Sequence, residues 1–186
     1  MNFKNLFVLV FALFITQKSF ALIELGLAYS YQKKTFNESN YYQTDSKSAS
    51  ISFSFLEKLA LELSYTDGFY ESQESDANST RTIQQSTQMA DSSLIWMLLD
   101  RSMIIQPYVK GGIAYVKKKQ EVRYLNSSTI TIPDSTGWAP SYGAGLKFAL
   151  SERFSIRVGY DVWQTPLSDG TKSDDSALKV GLSWYL

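Results

Sequence analysis

Apolar and polar residues alternate along most of this chain with a period of two, and this alternation limits the fold more than any other feature. It is clearest in residues 152–164, ERFSIRVGYDVWQ, where one face is apolar and the other carries an arginine and an aspartate. The apolar face consists of Phe154, Ile156, Val158, Tyr160 and Val162, and the opposite face of Ser155, Arg157, Gly159, Asp161 and Trp163. Successive side chains of a strand point to opposite sides of a sheet, so the pattern predicts a strand with two chemically different faces.

The same alternation recurs in seven further segments and predicts an all-β chain. The fourth segment is the weakest, because residues 84–93 are mostly polar and its apolar face is defined only by Leu94, Trp96 and Leu98. The predicted strands are 23–31, 49–55, 59–65, a segment ending at 98, 105–115, 141–150, 152–164 and 177–186. Most have about ten residues, the length of a tilted strand that crosses a bilayer.

The connections between these strands alternate between short and long. Short connections are centred on residues 57–58, 100–102 and 151–153, whereas long polar ones cover roughly 33–47, 67–82, 117–137 and 164–176. In an up-and-down sheet this places every tight turn at one end and every long loop at the other, as in outer-membrane barrels. An even number of strands also lets the sheet close and removes its edges.

The two faces differ in side-chain volume, and this decides which of them points inward. Eight strands enclose only enough space for packed side chains or one small ligand. The polar face is rich in Gly, Ala and Ser and fits that space, whereas the bulky apolar face does not. The sequence therefore predicts an eight-stranded antiparallel up-and-down transmembrane β-barrel with its apolar face toward lipid. A soluble periplasmic lipocalin-like ligand carrier, with its apolar face inward, is the alternative.

Eight ionisable residues fall on the predicted inward face, and their charges balance. They are Glu24, Glu62, Asp91, Lys110, Lys147, Arg157, Asp161 and Lys179. Counted from the tight-turn end, they form two roughly neutral layers: a lower one with Glu24, Glu62, Lys147 and Arg157, and an upper one with the other four. Because buried charges are tolerated when they are paired, we interpret the set as a network that fills the interior. A charged pore constriction or a proton relay is the alternative.

The outward aromatic residues concentrate at the two ends of the strands and predict two aromatic girdles at the membrane interfaces. Toward the long loops lie Tyr29, Tyr31, Tyr65, Tyr115, Tyr142 and Tyr160, and toward the tight turns Phe55, Trp96, Phe148, Phe154 and Trp184. Strand propensity alone would not place the tyrosines preferentially at one end.

Composition excludes several classes of function. The chain has no cysteine and no histidine, so thiol chemistry, disulfides and the commonest general base and metal ligand are missing. Basic and acidic residues balance at 18 each, so no basic face for nucleic acid is expected. We therefore expect no catalysis, no cofactor and no metal. Acids of the long loops, such as Asp45, Asp67 and the pair Asp174–Asp175, are interpreted as solvated charges rather than as a divalent-cation site.

The first 21 residues have the three-part pattern of a signal peptide. Lys4 precedes the ten-residue apolar segment LFVLVFALFI, which is too short to span a bilayer as a helix. Ser19 and Ala21 then match a small-residue cleavage site, so we expect residues 1–21 to be removed and residues 22–186 to form the barrel domain.

The chain resembles the small eight-stranded outer-membrane barrels of the OmpA transmembrane-domain and OmpX type. The resemblance rests on FALFITQKSFA, QPYVKGGIAY (106–115), SYGAGLKFAL (141–150) and LKVGLSWYL (178–186). It implies a location in the outer membrane of a Gram-negative bacterium, contact with lipid and lipopolysaccharide, and insertion by the outer-membrane assembly machinery. We expect the barrel to be a monomer. That machinery reads an aromatic end of the last strand, whereas this chain ends in Leu186 and has Trp184 two residues earlier.

Pattern and resemblance together predict a non-enzymatic outer-membrane barrel with a structural or surface-interaction role through its long extracellular loops. A channel for ions or small solutes is the principal alternative.

Overall fold

The computed structural model describes residues 22–37, 39–76, 79–124, 129–166 and 171–186, which form eight strands. The strands are β1 (Leu22–Asn37), β2 (Asn40–Ser54), β3 (Leu59–Asp76), β4 (Ser79–Met97), β5 (Ile105–Tyr124), β6 (Ile130–Ala149), β7 (Phe154–Pro166) and β8 (Lys172–Tyr185). Each strand pairs antiparallel with the next along the chain, and β8 pairs with β1, so the sheet closes into a barrel. The predicted eight-stranded antiparallel up-and-down barrel is confirmed.

The seam between the first and last strands is shorter than the other pairings. It runs from Glu24 opposite Tyr185 to Tyr29 opposite Val180. Trp184 lies opposite Leu25 in this seam and also opposite Phe154 of β7. The alternation in the last strand therefore continues that of its neighbours on both sides.

The two ends of the barrel differ. The tight connections lie at one end, as predicted, but the other end is not formed by long loops. Tight connections join β2 to β3, β4 to β5 and β6 to β7 through residues 55–58, 98–104 and 150–153. At the other end the predicted long loops are wrong over most of their length, because these segments are paired strands: Lys33 lies opposite Gln43, Asp67 opposite Gln88, and Lys117 opposite Thr136.

These paired extensions were missed for a physical reason. Beyond the apolar band both faces of a hairpin are polar, so hydrogen bonding continues while the hydrophobic alternation that reveals a strand stops. The strands have 13 to 20 residues, longer than the predicted lengths of about ten. Below, the end with the tight connections is called the turn end, and the end with the paired extensions is called the hairpin end.

The apolar side chains cover the outside of the barrel. Leu27 and Leu182 are more than 60% exposed, whereas Lys147 on the inward face is completely buried. The inward face holds small side chains such as Ser52, Ser93 and Ser183, as expected for a narrow interior. This distribution is the reverse of that in a soluble barrel and contradicts the lipocalin-like alternative.

The expected signal peptide, residues 1–21, lies outside the described residues. In the part of the chain that the structure describes, there is no helix with the length and apolar composition needed to span a membrane.

Candidate functional site

The barrel interior brings together the eight predicted inward charges. Their strands are fixed by the closed sheet, and the strand period of two points each of them toward the axis. Side chains of seven of them are 14% exposed or less, from Lys147 at 1% to Arg157 at 14%. The eighth, Asp91, is 6% exposed as a whole residue.

Glu24 and Lys147 form an ion pair across the lower interior, between β1 and β6. The Lys147 Nζ donates to both Glu24 carboxylate oxygens at 2.7 Å and also to the hydroxyl of Tyr185 on β8. The same ammonium lies 4.2 Å from the centre of the Tyr185 ring. This pair therefore links three strands that lie far apart in the sequence. Tyr185 has the inward parity of Lys179 on the last predicted strand, but the predicted network contained only charged residues and therefore left it out.

A second, branched set of ion pairs crosses the middle of the barrel. Arg157 Nη1 lies 2.6 Å from Glu62 Oε2, and Lys110 Nζ lies 3.5 Å from Glu62 Oε1. Lys110 Nζ is also 3.0 Å from Asp161 Oδ2, which lies 3.1 Å from Lys179 Nζ. The two separate layers predicted from the sequence are therefore joined, because Lys110 is long enough to reach a carboxylate in each.

Asp91 is held differently from the other interior charges. Its carboxylate accepts a hydrogen bond from Ser93 Oγ at 2.6 Å and another from Ser141 Oγ. The prediction that it belongs to a charge-paired layer is wrong in this detail, since its described partners are hydroxyl groups of β4 and β6.

Tyr108 fills much of the remaining space beside the branched ion pairs. It is 4% exposed, and the Arg157 guanidinium lies 5.1 Å from its ring centre. A Cβ added at Gly145 or Gly159 would lie 2.5 Å from the Tyr108 hydroxyl oxygen. Two inward glycines on β6 and β7 thus form the recess that the ring occupies, which gives a packing reason for the small residues on this face.

Two apolar clusters lie beside the charges on the inward face, a feature that the sequence prediction missed. Toward the turn end Ala60, Ile95, Met97 and Tyr108 form one cluster, and toward the hairpin end Met89, Ala114, Val116, Ala139 and Trp163 form another. The period of β4 contains the signal, because Met89, Ile95 and Met97 share the parity of Asp91. Apolar side chains therefore border the ion pairs, so water competes less with these pairs than it would at a surface.

A further ion pair lies at the hairpin end, inside a region predicted to be loop. Lys118 Nζ on β5 is 3.3 Å from Asp175 Oδ2 on β8, and Thr165 Oγ1 donates to the same oxygen at 2.6 Å. The interpretation of Asp175 as a solvated loop charge is wrong. Asp175 belongs to a paired extension of β8, and its side chain points into the barrel. No regular alternation in 117–124 identifies Lys118 as an inward residue.

The space left among the interior charges is small. A cavity of about 50 Å³ lies between Glu62, Tyr108, Lys110, Arg157 and Lys179. This volume accommodates only a few water molecules. In the described ranges no group of three or more carboxylates is arranged to hold a metal ion.

The predicted aromatic residues lie on the outer face, at both ends of the apolar band. Tyr29, Tyr31, Tyr65, Tyr115, Tyr142, Tyr160, Trp96, Phe154 and Trp184 are between 43% and 54% exposed, whereas Phe148 and Phe55 are half-buried, the latter in the turn after β2. Trp138 was missed because it lies outside the predicted strands, between the loop 117–137 and the strand 141–150. Its ring is 68% exposed and packs edge-on against Tyr115 at 5.4 Å.

The paired extensions at the hairpin end are cross-linked by side chains. Tyr41 Oη on β2 donates to Glu71 Oε1 at 2.6 Å, and Gln84 Nε2 on β4 donates to Glu71 Oε2 at 2.8 Å. These hydrogen bonds, first that of Tyr41, lower the pKa of the Glu71 carboxyl below its ordinary value. Three strands are thus tied together well beyond the apolar band.

A family model described as "Outer membrane protein beta-barrel domain" matches residues 7–185. The structure is similar to the N-terminal β-barrel domain of Pseudomonas aeruginosa OprF, with a TM-score of 0.57 and 18% identity over 91% of this chain and 100% of that one. It is similar to Neisserial surface protein A, with a TM-score of 0.55 and 14% identity over 90% and 99% of the two chains. For Ail, the attachment invasion locus protein of Yersinia pestis, the values are 0.53 and 13% over 89% and 99%. No curated protein matches the sequence.

Proposed function

The chain belongs to the family of outer-membrane β-barrel domains, and from this premise we propose that it is a non-enzymatic barrel with a plugged interior that acts at the cell surface through its long hairpins. Its location is the bacterial outer membrane. The observation that carries the proposal is the branched network from Arg157 through Glu62, Lys110 and Asp161 to Lys179, which crosses the barrel interior beside two apolar clusters.

The arrangement of this network favours a plug over a pore. A conducting constriction needs water on both sides and ions that can leave, whereas these charges satisfy one another at hydrogen-bond distance. The cavity among them has a volume of only about 50 Å³, and Tyr108 is part of its lining. The absence of histidine and cysteine from the sequence supports a non-enzymatic role.

Purified protein in a planar bilayer should show no unitary current steps above the lipid baseline, because ion pairs and apolar clusters occupy the interior. Flotation of the protein with vesicles of the same lipid verifies insertion. Large and reproducible steps from inserted protein would show that the interior conducts, and the channel alternative would then replace the plug.

The hairpin end is the part of the molecule that we propose to meet other molecules. Its strands extend about 20 Å past the tyrosines, since Glu71 on β3 lies six residues beyond Tyr65. Hydrogen bonds between β2, β3 and β4 hold these extensions in a defined shape. Two structural neighbours are described by their names as a surface protein and as an attachment protein, which agrees with a surface role.

Lipopolysaccharide and lipid are the proposed surroundings of this barrel, and the outer face has the charges for such contact. Lys117 lies two residues beyond the girdle residue Tyr115, and Lys119 two residues farther along. With Ser86 and Gln88 they line an outward depression of about 210 Å³. Both ammonium groups lie 3.8 Å from Asp134 Oδ2, so the group keeps a net positive charge, and at this height that charge suits the phosphates of lipid headgroups. We further propose that the barrel is a monomer, inserted by the assembly machinery through its last strand.

Charge reversal of Lys117 and Lys119 to glutamate should lower the amount of lipopolysaccharide that copurifies with the folded barrel several-fold, because phosphate then meets carboxylate. Mass spectrometry of the extracted lipid measures the change. Lys58→Glu is the matched control, since Lys58 lies at the turn end and is 43% exposed, as Lys117 is. Equal lipopolysaccharide in all three preparations would argue against this contact and against an outward orientation of the hairpin end.

A further inference from the structure

The barrel contains a second internal space above the charge network, and this space is larger and less polar than the first. It has a volume of about 220 Å³ and is bounded by β2, β3, β4, β7 and β8. Its floor is formed by Met89, Trp163 and Ala177, which belong to or pack against the upper apolar cluster. Its walls carry polar side chains, among them Ser46 and Thr87. We call this space the vestibule.

Two hydrogen-bonding groups that line the vestibule have no partner among the described residues. They are the Nε1–H group of Trp163 and the Oγ of Ser46, in residues that are 9% and 7% exposed. Almost all buried polar groups in proteins are hydrogen-bonded, so each exception requires an explanation. Because both residues line one cavity from opposite strands, β7 and β2, a single occupant could satisfy both groups.

The charges around the vestibule define which occupant fits. Asp175 contributes a carboxylate to the wall, already paired with Lys118 and Thr165, and no lysine or arginine is among the described lining residues. An anion would therefore find no cation free to pair with it among the described lining residues, since the neighbouring Lys118 is already paired with Asp175. The indole N–H is a donor only, so the occupant must present a hydrogen-bond acceptor.

Volume restricts the occupant further. An apolar cavity of about 150 Å³ accepts benzene, so the vestibule has room for one ring and a short polar substituent. The Trp163 ring and the Met89 thioether offer an apolar and polarisable surface to such a ring.

We propose that the vestibule is a binding site for small, uncharged, single-ring molecules that carry a hydrogen-bond acceptor. The ring lies on Met89, Trp163 and Ala177, and the acceptor receives hydrogen bonds from Trp163 Nε1–H and Ser46 Oγ–H. The site goes beyond the surface role and does not depend on it, because its two hydrogen-bonding groups, Trp163 Nε1–H and Ser46 Oγ, take no part in the charge network. A conducting barrel or one that does not bind lipopolysaccharide would leave this proposal unaffected.

Benzamide is the probe, and NMR of the tryptophan indole groups is the measurement. The barrel is reconstituted in lipid nanodiscs, since a detergent could enter the vestibule itself. The chain has four tryptophans, and the Trp163→Phe spectrum identifies the Trp163 indole signal. Titration should move that signal downfield and saturate with a dissociation constant on the order of 1 mM, as expected for a ligand of this size. Toluene, which lacks an acceptor, and benzoate, which is charged, should bind more weakly.

Two variants separate this site from nonspecific association. Ala177→Leu fills the vestibule and should abolish saturable binding, whereas Ser46→Ala removes one hydrogen bond and should weaken binding about three- to tenfold. Ser92→Ala, at an outward position of β4, should bind like the unchanged protein. The proposal is overturned if benzamide produces no saturable shift of the Trp163 signal, or if binding is the same in Ala177→Leu.

Discussion

Replacing Arg157 with alanine should lower the free energy of unfolding of the barrel by about 3–5 kcal/mol, the usual cost of breaking a buried ion pair from one side. Arg157 is the nearest cation to Glu62, at 2.6 Å, and Glu62 is 3% exposed. Without the guanidinium the carboxylate keeps Lys110 at 3.5 Å and a hydrogen bond from Ser52 at 3.3 Å, both longer contacts. The Tyr108 ring also loses the cation packed against it. Urea unfolding of the folded barrel in lipid vesicles measures the change.

The control for this variant is Lys172→Ala, a charge removal at an exposed position of β8. Its effect should stay within about 0.5 kcal/mol, as is usual at surface positions. The cost of Arg157→Ala should also shrink when Glu62 is already glutamine, since no carboxylate is then left unpaired. Equal unfolding midpoints for Arg157→Ala and Lys172→Ala would show that the interior network does not stabilise the barrel.

Adding a single methyl group at Gly112 should destabilise the barrel by about 3 kcal/mol, the upper part of the range for overpacked interiors. Gly112 faces inward on β5, and an added Cβ would overlap the carbonyl oxygen of Ser92 and lie 2.6 Å from the Cα of Ser93. These are backbone atoms of the neighbouring strand, so a side-chain rotation cannot relieve the contact. Unfolding of Gly112→Ala in urea, followed by tryptophan fluorescence, tests the prediction.

The preceding residue provides a closely matched control. Gly111 is exposed on the outer face, and a Cβ added there would have nothing within 4 Å. Gly111→Ala carries the same change in backbone entropy but no overlap, so its stability should differ from that of the unchanged protein by less than about 0.5 kcal/mol. If both alanine variants unfold at the same urea concentration, the close approach of β4 and β5 at Gly112 is not what makes glycine necessary.

The plug and the vestibule divide the interior into parts with different possible roles. The charges of the network from Arg157 to Lys179 are paired with one another, so few of them are available to bind a ligand. At the vestibule, by contrast, Ser46 and Trp163 keep hydrogen-bonding capacity that the described residues do not use. Any recognition inside this barrel is therefore expected at its hairpin end.

Much of the architecture was predictable because a closed barrel in lipid leaves few choices. A period of two with one bulky apolar face specifies which residues face lipid, and the tight turns specify that consecutive strands pair antiparallel. From these rules the number of strands, the inward position of Arg157 and the outward position of Tyr160 all follow. None of this requires knowledge of which strands lie opposite one another across the interior.

The spacing of residues in the sequence could not predict which side chains pair with one another across the interior. Lys110 joins Glu62 to Asp161, and Asp91 is bound by serines rather than by a cation. Such contacts depend on the tilt and stagger of the strands, which set the heights of residues on opposite walls. Strand order along the chain contains no information on that stagger.

The sequence by itself determined the fold class, the outward and inward faces and the set of interior charges of the membrane-spanning part, because lipid imposes a strict chemical alternation there. Only the tertiary structure decided how those charges pair, where Met89 and Trp163 pack inside the barrel, and how far the hairpins extend. Beyond the apolar band both faces meet water, so Lys118 and Asp175 show no alternation, and their ion pair follows only from the pairing of the strands in space.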